Sequence, residues 1–162
     1  MTRAFIAVPL PESIRANLLL LDRSEQGISW SCPNRWHITI QFFEDADMGH
    51  LERLFFQIEA QEAVASLGPK VSRLGQQILM VPADGLSGVA DQVRTATAPQ
   101  GSNDHFPFVG HITLGRMKET GGAALEGAPI EGVFRVNQLL LVESRIDSGG
   151  HTHTVVGSQP LL

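Results

Sequence analysis

Two stretches of this chain, HITIQF from His37 and HITLGR from His111, write the same tripeptide 74 positions apart. Each alternates polar with aliphatic residues, the pattern of a strand buried on one face. His37 and Thr39 then share one face, with Ile38 and Ile40 on the other. His111 and Thr113 stand against Ile112 and Leu114 in the same way. The fold must cover two aliphatic strand faces. If the opposite faces were ordinary core, four polar groups would each need a buried partner; if they line a cleft, the same residues form a reactive surface.

The remaining segments supply the covers. RAFIAV at 3–8 reads as a buried strand, and PESIRANLLLLD as a helix with Ile14, Leu18 and Leu21 on one face and Pro11 in its first turn. ISW predicts a short strand and WHITIQFF the first motif strand. Asp45 or Asp47 can cap a second helix carrying the stripe Leu51, Leu54, Phe55 and Ile58. KVSRLGQ and QILMVP predict a strand pair. GLSGVADQVRTAT predicts a helix faced by Leu86, Val89 and Val93, weakened by Gly88. PFVGHITLGRM is the second motif strand, VFRVNQLLLVES one long strand, and HTHTVVGS the last. The Gly/Ala-rich residues 118–132 read as a surface loop. The result is an α+β pattern of two comparable halves, each with one motif strand.

At 162 residues the chain is expected to be one domain, 1–162, made of two lobes. Its net charge of −5 and pI near 5.6 argue against duplex DNA, whose binding draws on many Lys and Arg contacts to phosphate. Cys32 stands alone, so neither an internal disulfide nor a cysteine zinc site is expected. Prolines interrupt the apolar start, and no segment has the length of a membrane span. A cytoplasmic monomer without membrane contact is the expectation.

Two facing His-x-Thr strands would gather two imidazoles and two hydroxyls around one small volume. Histidine titrates near neutrality, so one ring can be neutral while the other is charged, as general acid–base catalysis requires. The short, stiff threonines can hold phosphate oxygens. Phosphoester cleavage suits this set without a metal.

Other residues carry weaker signals. His151 and His153 share a strand face at a spacing zinc sites use, but no carboxylate or cysteine recommends a metal, and none is expected. His50 is read as solvated and His105 as a loop residue. Trp30 and Trp36 are read as packing. Phe5 and Phe42 are core candidates, Phe5 with a secondary chance of stacking on a base.

The flanks extend the motifs. RAFIAVPLPESIRANL, WHITIQFFED, GHITLGRMK and LLLVESRIDSGGHTHTVV together resemble the 2H phosphoesterase superfamily, and within it the RNA 2′,3′-cyclic phosphodiesterases, also described as 2′-5′ RNA ligases. The resemblance spans nearly the whole chain. It implies a bilobal, pseudo-symmetric α+β fold, each lobe an antiparallel sheet with helices outside and a cleft between. It also implies opening of terminal 2′,3′-cyclic phosphates of RNA, or of small cyclic nucleotides, to 2′-phosphomonoesters with no cofactor. Carried over, His37 is the proton donor and His111 the proton acceptor. Thr39, Thr113 and Arg116 bind phosphate, and Phe5 and His153 are candidate substrate contacts. The alternatives are an ATP-independent 2′-5′ RNA ligase, or a non-catalytic module that binds nucleotides or RNA ends.

Two positions depart from the family pattern. Gly110 stands where a proline usually precedes the second motif, and His153 where an aromatic, commonly Tyr, is frequent. Strict alternation also turns Arg116 away from His111 and Thr113. Either Gly115 marks a bulge or strand end that re-aims it, or Arg116 is a surface residue.

Overall fold

A computed structural model describes residues 2–100, 107–118 and 123–162. In chain order its elements are β1 (Thr2–Pro9), α1 (Glu12–Leu18), β2 (Ile28–Trp30), β3 (His37–Ala46), α2 (Met48–Phe55), β4 (Ala63–Leu67), β5 (Ser72–Leu74), β6 (Ile78–Asp84), α3 (Ser87–Thr97), β7 (His111–Met117), β8 (Gly132–Val136), β9 (Gln138–Asp147) and β10 (Gly150–Pro160). The strands form one sheet in the order β10-β9-β1-β3-β7-β6-β4-β8, with β2 added against β7 and β5 against β6. Each pairing is antiparallel.

The two motif strands are neighbours at the centre of the sheet, joined in register at Ile38 and Ile112. Both isoleucines are fully buried and belong to the main core with Ile40 and Leu114. Ile14 and Leu18 of α1, Leu51 and Phe55 of α2, and Val89, Ala90 and Val93 of α3 complete that core. The helices therefore cover the aliphatic faces of the motif strands, as the alternation required. Asp47 is the residue that caps α2, accepting from the His50 backbone N–H at 3.3 Å.

Three segments differ from expectation. VFRVNQLLLVES is not one strand: it breaks at Asn137, so that β8 pairs with β4 and β9 with β1. The Asn137 carbonyl instead accepts from Leu161 N at 2.9 Å. One residue thus joins strands that lie far apart in the sheet order. Strand β4 has no counterpart in the sequence reading, because AVASL lacks the aromatic and β-branched run that marks a strand. Of the 118–132 segment, 119–122 lie outside the described residues, as does His105. Beyond them Leu125 and Ile130 are buried in the core, so this stretch is anchored rather than a surface loop.

Candidate active site

The motif strands present His37, Thr39, His111 and Thr113 to one cleft of about 610 Å³, shared with Arg35, Arg116, His151 and His153. Both imidazoles are fixed in the same way. His37 Nδ1 lies 2.5 Å from the carbonyl of Arg35, and His111 Nδ1 lies 2.7 Å from that of Val109. A carbonyl only accepts, so each Nδ1 carries the hydrogen. That leaves Nε2 as the working nitrogen in both rings, a lone pair when neutral and a donor when charged. At His37 the Nε2 atom meets Thr39 Oγ1 at 2.9 Å.

The ring of Phe5 lies flat on His37, centroids 4.7 Å apart and planes 14° from parallel, while His153 meets Phe5 edge-on at 5.1 Å. Burial under this cover lowers the His37 pKa below 6.5. The Arg35 carbonyl pulls it back up, and charge on His111 lowers it further. The His153 pKa is also lowered, first by burial and then by Arg35, His37 and His151.

Arg116 lines the cleft beside His111 and Thr113, although simple alternation turns it away. The cause is a bulge. Met80 pairs with Thr113 and Leu79 with Gly115, leaving Leu114 as an extra residue. The added residue resets the alternation and turns Arg116 to the face of His111. Gly115 has no room for a side chain: a Cβ there would sit 2.8 Å from Ile28 Cγ2 and 3.0 Å from the Ser29 carbonyl.

The first motif strand carries the same irregularity. Ala7 pairs with Thr39 and Ile6 with Gln41, so Ile40 is the extra residue. Phe42 consequently lies on the His37 face, half-buried, with the Arg3 guanidinium 5.3 Å from its ring centroid. It is not part of the main core. Phe5 belongs with Ala7 and Val142 to a second apolar cluster, against which Phe42 packs.

Sequence reasoning overlooked Arg35. It lines the cleft and donates to the His151 carbonyl, tying the turn before His37 to β10. The signal available was its place two residues before the motif histidine. Arg15 Nε supports the same turn through the Pro33 carbonyl at 3.2 Å. Trp36 is buried as read, whereas Trp30 also lines the cleft. His50 is bonded to Gln100 at 2.6 Å rather than left to solvent. Among the described residues, no three His, Cys, Asp or Glu side chains are grouped to hold a metal ion.

No protein-family model matches the sequence, and no curated protein matches it. Solved structures do. Escherichia coli LigT in apo form is 24% identical with a TM-score of 0.79, over 99% of this chain and 97% of that one. A structure described as a phosphoesterase is 21% identical with a TM-score of 0.80, over 99% of both chains. The TT0787 protein of Thermus thermophilus is 21% identical with a TM-score of 0.78, over 98% of this chain and 97% of its own. These matches span nearly the whole chain, and the chain has the α+β fold of LigT.

Proposed function

We propose that this cleft hydrolyses terminal 2′,3′-cyclic phosphates of RNA, and of small cyclic nucleotides, to 2′-phosphomonoesters by two-histidine acid–base catalysis. The observation that carries the reading is the matched pair of imidazoles. Each is pinned through Nδ1 to a backbone carbonyl, and each lines a cavity that also holds two threonines and Arg116. The fold is that of LigT, which has been crystallised with 3′-AMP and with phosphate.

In this mechanism His111 Nε2 takes the proton of an attacking water and His37 Nε2 gives one to the departing 3′-oxygen. Thr39 and Thr113 donate to the non-bridging phosphate oxygens, and Arg116 offsets their charge. The lobes are not equivalent for this task. At the post-bulge position one strand offers Arg116 and the other Phe42, so the phosphate charge is held toward the Arg116 side. Burial keeps His37 toward neutral in the free protein. Its proton is therefore taken up together with the anionic substrate, whose charge favours the imidazolium. Such work on RNA ends suits a cytoplasmic monomer.

The test is product analysis with a 2′,3′-cyclic nucleotide and a cyclic-phosphate-ended RNA, both in EDTA. The 2′-monophosphate should form, and His37→Ala or His111→Ala should each lower kcat about 10²–10⁴-fold with the fold retained. Full turnover by either single variant would end this mechanism. Saturable binding without product would instead favour a binding module, and joining of two RNA halves a ligase.

A further inference from the structure

The two motif strands begin in the same way against their outer neighbours. His37 stands opposite Pro9 of β1, and His111 opposite Pro82 of β6. Proline has no N–H, so neither ladder can draw a donor from that position. Beyond the proline the two copies differ. On the second strand Ala83 N donates to the Gly110 carbonyl at 2.9 Å, an approach so close that a Cβ on Gly110 would sit 2.2 Å from the Ala83 carbonyl oxygen. Main chain thus fixes the residue before His111. On the first strand Trp36 stands in that place, and its N–H turns back to the Pro33 carbonyl at 3.3 Å. Among the described residues no main-chain bond joins it to Leu10. The short 3₁₀ turn Pro33–Arg35 is held instead by two arginine side chains. Arg15 of α1 donates through Nε to the Pro33 carbonyl at 3.2 Å and is itself paired with Glu12 at 2.5 Å. Arg35 donates to the His151 carbonyl of β10.

We propose that Arg35 and Arg15 are positioning residues for His37, holding this turn so that the Arg35 carbonyl keeps the ring hydrogen on Nδ1. The proposal rests on the phosphoesterase reading above and adds to it what orients the acid. The chemistry turns on one bond. While the carbonyl lies 2.5 Å from Nδ1, that nitrogen donates, and Nε2 meets Thr39 Oγ1 at 2.9 Å with its lone pair. Nε2 can then take up a proton and pass it to the departing oxygen. If the turn loosens, Nδ1 loses its acceptor, the hydrogen can move to Nε2, and the ring can rotate on its Cβ. His111 makes the same bond to the Val109 carbonyl without the same dependence, because the contact of Gly110 with Ala83 holds its approach. The proton donor is thus braced by side chains from α1 and β10, and the proton acceptor by main chain. Arg35 lines the catalytic cleft and carries charge there as well, whereas Arg15 is not among the residues that line it. The two arginines therefore separate positioning from charge.

The test joins steady-state turnover of a 2′,3′-cyclic nucleotide to the 15N spectrum of the histidine rings. Arg15→Met should lower kcat about three- to tenfold and leave KM within about twofold. Arg35→Met should lower kcat about 10–100-fold. That loss should persist at about 1 M salt, where screening acts within about 3 Å and a role through charge alone fades. At alkaline pH, His37 in either variant should leave the Nδ1–H form for a mixture of tautomers, while His111 keeps it. Wild-type kcat in Arg15→Met, together with a loss in Arg35→Met that salt abolishes, would overturn the proposal. His37 ring signals unchanged in both variants would overturn it as well. Arg35 is exposed, so its replacement leaves the core intact; should Arg35→Met still fail to fold, Arg15→Met decides alone. If the wild-type chain cleaves no cyclic phosphate, the functional reading falls while the ring spectrum still decides the positioning.

Discussion

At the residue scale, His37 concentrates most of the site's physical chemistry. Its ring is held between the Arg35 carbonyl, the Thr39 hydroxyl and the face of Phe5. Burial, the largest influence on it, disfavours the charged form. The unfolded chain therefore binds a proton near pH 6.5 that the folded chain refuses until lower pH. Stability from this group is complete above 6.5 and is lost as pH falls through the folded value. His37→Gln should accordingly flatten the acid side of the Tm–pH curve. Phe5→Ala removes the cover, and at about 3–5 kcal/mol it is a costly change. In the fraction that stays folded, the His37 ring signals should titrate closer to 6.5 than in the wild type. An unchanged midpoint by NMR would mean that Phe5 is not what desolvates the ring.

At the scale of elements, the decisive features are two bulges of one residue each. They put Ile40 and Leu114 out of register and turn Phe42 and Arg116 to the face of the motif histidines. The Leu114 bulge is locked by β2, which packs so closely on Gly115 that a methyl group meets Ile28, Ser29 and Trp30. Gly115→Ala should cost about 1–3 kcal/mol by overpacking. It should also lower kcat/KM, since Ser29 and Trp30 line the cleft; wild-type stability and rate together would show that β2 yields freely. Gly110 has a comparable reason: a Cβ there would collide with the Ala83 carbonyl, and its own carbonyl accepts from Ala83 N at 2.9 Å. The glycine before the second motif is a close approach of two backbones. Sequence reading recovers the motif strands and the faces of His37, Thr39, His111 and Thr113, because alternation is local. It leaves Arg116 undecided and places Phe42 in the core, because a bulge is a property of the partner's register. AVASL escapes as a strand for a related reason, its pairing with β6 and β8 being set by neighbours and not by its own propensity.

At the scale of the molecule, the proposed function sets an acidic chain to act on an anionic substrate through a locally cationic cleft. The net charge is −5, yet Arg35 and Arg116 both line the cavity that holds the two motif histidines. Fields of this kind act over a short range, since salt screens exposed charges beyond about 10 Å at 0.1 M. An RNA end should therefore be gripped at its terminal phosphate and little along its backbone. Each neutralised phosphate on a single strand contributes a slope of about −0.7 in log K against log salt. Two cations facing the terminus predict a slope for log kcat/KM no steeper than about −1.5, nearly independent of RNA length. Arg116→Gln should make it shallower by about 0.7 while weakening long and short substrates alike. The check is kcat/KM for a cyclic mononucleotide and for a cyclic-phosphate-ended decamer across a salt series. A slope that steepens with length would place further phosphates on the protein surface. The binding face would then extend beyond the cleft between the two His-Ile-Thr strands.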